Sequence, residues 1–339
     1  MSSRTLLPLT HPPPLTHLQR LTDGVGMHEH AYHASPRREH GYCVDDNARA
    51  VVVLARDGRH AAEALMARCL RFVLDMQAPD GTFHNRCGAG RRRTDTPGTG
   101  DHWGRALWGL GCAAAHRPHV APVAAAAFLR GARHRSAHPR AMAYAALGAA
   151  ALLEVATSER DVIAGLLRDA ATTIGAPGRD GRWPWPGPRL TYANARLPEA
   201  LIAVGTALHD DRVLGHGLAL LRWLVDIESA GATVSVTPVG GWALGEPRPG
   251  FDQQPIEVWA LADAAVRAWE ATGDAAWATV VRRCADWFLG GNDCGLPLFD
   301  ERTGGGCDGL EAGGRNENQG AESTLALVAT LQAARRTSA

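Results

Sequence analysis

The chain reads as an all-α protein, an (α/α)6 toroid in which six helical hairpins close into a ring. Three observations predict it. Alanine-rich helical stretches alternate with loops rich in Gly, Pro, Asn, Asp and Trp, and strand signals are almost absent. The helical stretches are of two kinds that take turns along the chain. Those of the first kind start at intervals of roughly forty to sixty residues, the internal period of a helical-pair array.

The first kind is rich in small residues and apolar on most faces, as a helix buried on both sides must be. Six stretches qualify: Asp45 to Asp57, Asp101 to Ala115, Pro139 to Val155, Ala193 to Leu208, Gln254 to Ala271 and Gly320 to Ala334. The second kind is amphipathic. Arg59 to Met76 sets Ala62, Leu65, Met66, Cys69, Leu70, Val73 and Leu74 on one stripe. Val120 to His134, Glu159 to Ile174, Asp211 to Glu228 and Ala275 to Leu289 follow the same pattern, each a short turn after an inner stretch. A short helix near Leu15 to Thr22 supplies the sixth outer member. Two concentric rings of antiparallel helices follow, with a linear solenoid of helix pairs as the alternative. Residues 1–339 are read as one domain, with residues 1–12 poorly ordered. The best strand candidate is Ala232 to Pro238.

Composition excludes several classes. Lys plus Arg and Asp plus Glu both number 35, so no global field attracts nucleic acid or an anionic membrane. The Arg91-Arg92-Arg93 tract reads as a solvated Gly-rich loop. No apolar run is long enough for a membrane span or a signal peptide. The seven cysteines are odd in number, scattered and without a CxxC pair, which fits reduced thiols in the cytoplasm. There is no P-loop, no dinucleotide fingerprint and no nucleophile elbow, so no cofactor is expected. His28, His30, His33, His40 and Cys43 are ligand types, but their spacing matches no zinc pattern, and no metal is assigned.

The turns into outer helices are short, whereas the loops into inner helices are long: Gly24 to Val44, Pro79 to Gly100, Ala176 to Tyr192, Ser229 to Gln253 and Asn292 to Gln319. Loops of this length are uncommon unless functional. Helix direction alternates, so these loops share one face with the positive ends of the inner-helix dipoles. Polar blocks stand there. Asp45 and Asp101 open inner helices and are natural N-caps, and with Arg49 and Arg105 they form i,i+4 pairs. Glu257 and Glu322 lie one turn into otherwise apolar helices, where an unpartnered carboxylate gives no stability. Ten tryptophans against four tyrosines is unusual. Trp108 and Trp259 read as packing, while Trp183, Trp185 and Trp242 are candidate stacking platforms.

The blocks His40-Gly41-Tyr42-Cys43-Val44-Asp45-Asp46-Asn47-Ala48-Arg49-Ala50 and Asn318-Gln319-Gly320-Ala321-Glu322-Ser323-Thr324, with the six repeating pairs, resemble the six-hairpin glycosidase superfamily and the related sugar epimerases. They also look like a bacterial group often labelled glycosyltransferase, in which this toroid stands alone or follows a nucleotide-sugar transferase domain. The resemblance spans nearly the whole chain and implies a carbohydrate substrate, an oligosaccharide or glycoconjugate, and a separate glycosyltransferase as a partner.

The leading expectation is a glycoside hydrolase with paired carboxyl groups across the mouth. Asp46 and Asp101, with Glu257 and Glu322 opposite, are the candidate acid and base or nucleophile. His28, His30, Arg49, Arg105, Asn194, Gln254, Asn316 and Asn318 are expected to bind hydroxyls, with His40, Asp45, His102 and Trp103 beside them. The alternatives are a sugar epimerase that shuttles a proton through His30, His40 or His102, and a non-catalytic glycan-binding partner of a glycosyltransferase.

Overall fold

The computed structural model describes residues 11–156 and 158–338. The expected disorder of residues 1–12 therefore falls, but for its last two residues, outside the described residues. In chain order the helices begin with α1 (Thr16–Leu21), α2 (Val44–Ala55), α3 (His60–Asp75) and α4 (Asp101–His116). Next come α5 (Ala121–Gly131), α6 (Pro139–Val155), α7 (Arg160–Ile174) and α8 (Arg196–Leu208). The last four are α9 (Asp211–Ile227), α10 (Pro255–Thr272), α11 (Ala275–Phe288) and α12 (Ala321–Arg336). The even-numbered helices from α2 to α12 pack each on the next, and α12 packs on α2. That last contact closes the ring and excludes a solenoid. The odd-numbered helices form the outer layer, α1 completing it against α12. No helix among the described residues is long and apolar enough to cross a membrane.

Small residues set the ring's diameter. Gly104 and Gly111 of α4 and Gly148 of α6 face backbone carbonyls of the opposite helix, and a Cβ at any of them would lie well inside van der Waals contact. Larger residues fill the interior. Arg196 is fully buried between the rings of Trp108 and Trp259, 4.6 and 4.8 Å from their centroids. Its guanidinium donates to Glu199 at 2.5 Å and to Asp263 at 3.0 Å, and Asp263 also accepts two bonds from Arg56. Two outer helices are capped by an Asp in the short turn before them: Asp210 accepts the amides of Arg212 and Val213, and Asp274 that of Ala276.

The long loops carry five two-stranded antiparallel pairs among the described residues: β1 (Ala31–Tyr32) with β2 (Ser35–Pro36), β3 (Tyr42–Cys43) with β4 (Arg86–Cys87), β5 (Ser229–Ala230) with β6 (Thr233–Val234), β7 (Phe299–Asp300) with β8 (Gly305–Gly306), and β9 (Gly309–Glu311) with β10 (Gly314–Asn316). The expected strand over Ala232 to Pro238 reduces to Thr233–Val234. Helix α8 starts at Arg196 rather than Ala193. Ala193 has a left-handed φ of 45°, and its amide and that of Asn194 point to the Glu257 carboxylate instead of opening a helix.

Candidate active site at the mouth of the ring

Helix direction puts the N-termini of the inner helices at one rim, and a cavity of about 460 Å³ opens there. Asp45, Asp46 and Arg49 reach it from α2, Arg105 from α4, Ile256 from α10, and Glu322 and Ser323 from α12. The loops add Glu29, His30, Tyr192, Gln254 and Asp308. A second cavity of about 470 Å³ lies among Arg56, His116, Glu199, Asp263, Arg267 and Arg336, where inner helices end. Its charges pair with one another, Arg56 with Asp263 and Arg336 with Glu270, so they serve the ring itself.

Arg49 is the hub of the mouth. One nitrogen donates to Asp46 Oδ1 at 2.7 Å, and the other lies 2.7 Å from Glu322 Oε2. A single buried guanidinium thus bridges two carboxylates from the helices that close the ring. The other oxygen of Asp46 accepts the Cys43 thiol at 3.2 Å. Burial pushes Asp46 up to a pKa of about 6, against the pull of Arg49 and with help from Glu322 and Glu29. Its neighbour behaves oppositely. Burial opposes the charge of Asp45 too, but Arg105, which donates at 2.6 Å, and Arg49 outweigh it and hold the carboxyl at about 2. Two adjacent residues are therefore set apart, one able to hold a proton in mildly acidic solution and one permanently ionised.

Of the two expected i,i+4 pairs, Asp101–Arg105 forms and Asp45–Arg49 does not. Arg49 pairs with Asp46 and Glu322, and Arg105 of α4 crosses to Asp45 of α2, with Asp101 3.6 Å from its second nitrogen. Neither Asp45 nor Asp101 acts as the N-cap. Cys43 Sγ caps α2, and Gly100 precedes α4 with no side-chain cap. For Asp45 the guanidinium that reaches is the one on the neighbouring helix.

Of the residues expected at the mouth, Asp45, Asp46, Arg49, Arg105, His30, Gln254 and Glu322 line the cavity, and Asp101 stands behind Arg105. Others lie elsewhere. Glu257 is buried with its oxygens on the amides of Ala193 and Asn194 and on the Asn194 side chain, while Asn194 Oδ1 accepts from Thr191 N at 2.9 Å. Burial and Glu228 push Glu257 up to about 8 against those amides. His28 is buried on the face of Tyr42 with Nε2 3.5 Å from Asp23. His40 meets His30 edge-on, and His102 bonds the Phe83 carbonyl at 2.9 Å. Trp103 is fully buried and donates to the Gly131 carbonyl. Trp183 and Trp185 pack on Trp223 of α9 and Trp242 packs on Trp183, which fastens two loops to the outer layer. Asn316 accepts the Asn318 amide within its own loop, and Asn318 Oδ1 accepts the His33 amide of the loop before α2.

Two carboxyl-bearing residues of the cavity escaped the sequence reading as site candidates, Glu29 and Asp308. Asp308 sits in a Gly-rich loop with no periodicity, and only its place just before an inner helix could have marked it. Glu29, Cys43 and Asp46 bring three ligand-type atoms within 4.8 Å of one another. The two carboxylates already accept from Arg86 and Arg49, and burial beside Asp46 holds the thiol far above its usual pKa. A thiol ligand must lose its proton, so the trio suits a metal poorly.

No family model matches the chain, and no curated protein matches it in sequence. Solved structures do match in fold. A cellobiose 2-epimerase from Bacillus thermoamylovorans superposes with a TM-score of 0.71 over 96% of each chain, at 10% identity. A sugar epimerase from a ruminal bacterium gives 0.67 over 95% of each at 12% identity. The GH76 α-mannanase of Bacteroides thetaiotaomicron gives 0.61, covering 87% of this chain and 86% of its own, at 12% identity. The fold is therefore the six-hairpin (α/α)6 toroid.

Proposed function

We propose that the protein is a carbohydrate-active enzyme, a glycoside hydrolase in which Asp46 is the general acid and Glu322 the base or nucleophile. The observation that carries this reading is the Arg49 bridge. It holds a buried carboxyl of raised proton affinity beside a second carboxylate, 35% exposed, in a cavity whose volume lies within the ~300–1,000 Å³ range of small-molecule sites. An acid must keep its proton until the leaving oxygen needs it, and burial of Asp46 provides that. Glu322 is the carboxylate solvent can reach, so water or an anomeric carbon can reach it too. Asp45, fixed by Arg105, and Gln254 are positioned to take sugar hydroxyls, and Tyr192 offers an aromatic edge. Toroid neighbours that include a mannanase and sugar epimerases support a sugar substrate.

The histidine-based epimerase is less favoured. Of His30, His40 and His102, only His30 lines the cavity. We read the compartment as cytoplasmic on the seven free cysteines.

The test uses isosteric amides. Asp46→Asn and Glu322→Gln should stay folded at the assay temperature and lose at least ~100-fold in turnover across a panel of oligosaccharides. Glu257→Gln should instead lower the melting temperature by a few degrees, because its new amide must face the donors of Asn194. Full activity in both cavity variants sinks the carboxylate mechanism. Deuterium exchange into a reducing sugar without bond cleavage would establish an epimerase. Glycan binding with no turnover would make the protein the binding partner of a separate glycosyltransferase.

A further inference from the structure

We infer that Tyr192 is the aromatic contact for the sugar in the mouth cavity, and that Glu257, which lies behind the wall, is the positioning residue that holds it there. The inference rests on the reading of the cavity as a glycan site, and it names one residue that meets the glycan and one that acts through it. Tyr192 is the one Phe, Tyr or Trp side chain in the cavity lining among the described residues. It is 36% exposed and does not join the hydrophobic core, whereas Trp103, Trp108 and Trp259 are buried within the ring of helices. Its neighbours are cations: the Arg140 guanidinium lies 4.4 Å from its ring centroid and that of Arg105 5.9 Å. A large aromatic side chain turned to a polar cavity instead of the core has apolar surface to offer a ligand. Sugar rings present an apolar C–H face between their hydroxyls, which matches it.

The chain on either side of Tyr192 is fixed. Leu190 exchanges two backbone bonds with Trp242. The Thr191 amide donates to Asn194 Oδ1 at 2.9 Å, and the Thr191 hydroxyl accepts from Arg140 at 2.5 Å. Ala193 has a left-handed φ of 45°, which a residue with a Cβ keeps only where its surroundings impose it. Glu257 imposes it here. One of its oxygens accepts the Ala193 amide, and the other accepts the Asn194 amide at 3.2 Å and the Asn194 side chain at 3.4 Å. Glu257 is buried and makes no ion pair among the described residues. A buried carboxyl without a cation beside it is not a source of stability in itself. What this one does is tie the start of α10, where Gln254 and Ile256 reach the cavity, to the segment that presents Tyr192. Without that tie Ala193 relaxes toward an ordinary φ, and the Tyr192 ring leaves its place opposite Gln254.

The test is calorimetric titration of the full chain at pH 7 with cellotetraose, maltotetraose and β-1,4-mannotetraose, followed with whichever binds tightest. Tyr192→Leu should weaken binding at least about ten-fold, and Tyr192→Phe, which keeps the ring, should stay within about two-fold of wild type. Glu257→Gln turns an NH2 group on the donors of Asn194 and should weaken binding about three- to ten-fold. Asn194→Ala loosens the same tie from the other side, should act in the same sense, and replaces Glu257→Gln if that variant does not fold. Because Glu257 acts through Tyr192, the losses should not multiply: the double variant should bind within about two-fold of Tyr192→Leu alone. Asp274→Ala removes the cap of α11 in the outer layer, lowers the melting temperature and should leave affinity unchanged, which separates the tie from general destabilisation. Unchanged affinity in Tyr192→Leu overturns the inference and leaves the glycan reading standing. Losses that multiply in the double variant overturn the positioning role of Glu257. Failure of the wild type to bind any of the three sugars removes the glycan reading and the inference with it. Weakened binding in the variants of a wild type that binds but does not cleave upholds the inference and removes only the hydrolase reading.

Discussion

Asp46 owes its character to a handful of contacts, and each makes a measurable difference. Burial raises its proton affinity, Arg49 opposes that, and the Cys43 thiol favours the ionised form by donating to its second oxygen. A general acid works only while protonated, so turnover should fall as pH rises past about 6. Cys43→Ala removes the thiol donor and should move that fall to higher pH by a fraction of a unit. Cys43→Ser supplies a stronger donor and should move it lower. Rate profiles measured between pH 4.5 and 8 decide it, and identical profiles for all three proteins would mean that Cys43 does not tune the acid. At this scale the sequence was informative wherever a charge interrupts an apolar helix, as at Asp46, Arg49 and Glu322. The same signal marked Glu257, whose partners turned out to be backbone amides sixty-odd positions away in the chain. Helical spacing tells which face a carboxylate is on and says nothing about what meets it there. Tryptophans in loops are equally ambiguous, because an indole packs on another indole as readily as on a sugar.

Helix pairs are where small side chains decide stability. An alanine in place of an exposed helical glycine gains about 1 kcal/mol from propensity. At the contact of α4 and α6 the sign reverses. A Cβ on Gly111 would be driven into the carbonyl of Gly148, and one on Gly148 into that of Leu107. Backbone cannot move aside as a side-chain tip can. Gly111→Ala and Gly148→Ala should therefore each destabilise by roughly 1–3 kcal/mol, the usual range for overpacking. Gly215→Ala on the outer helix α9, where a Cβ meets nothing, should be neutral or stabilising. Urea denaturation of the three variants checks the contrast, and a stable Gly111→Ala would mean that the two helices are not held at backbone contact. Element boundaries were legible because the outer helices are amphipathic and the inner ones are apolar all round. The exception, the start of α8, failed for a reason no local pattern carries: a carboxylate from α10 captures the amides that would have begun the helix.

Across the whole molecule, two buried carboxyls in the two polar ends of the ring, Asp46 and Asp263, are shifted in opposite directions. Ring closure itself was readable from six repeats, but the network inside it was not, since Arg56, Arg196, Glu199 and Asp263 come from three helices far apart in sequence. Burial opposes the charge of Asp263, yet Arg56 and Arg196 prevail and hold it at about 2. A carboxyl with a depressed folded-state pKa adds stability that is present above its unfolded value of 3.8 and is lost as pH falls through about 2. Asp46 is the reverse case. Its folded-state pKa is raised, so its contribution is full below 3.8 and is lost as pH rises through about 6. Removing each charge should expose the difference. Asp263→Asn leaves the buried Arg56 without its counter-ion and Arg196 with Glu199 alone, and should cost about 3–5 kcal/mol at pH 7, a cost that shrinks as the pH is lowered toward 2.5. Asp46→Asn removes a buried charge that the wild type must carry at pH 7, so its melting temperature relative to wild type should rise from pH 4 to pH 7. Thermal melts of the two variants and the wild type from pH 2.5 to pH 7 give the comparison. If both variants change with pH in the same sense, the mouth and the interior are one electrostatic unit, and the separation of a stabilising network from a strained, proton-holding rim is wrong.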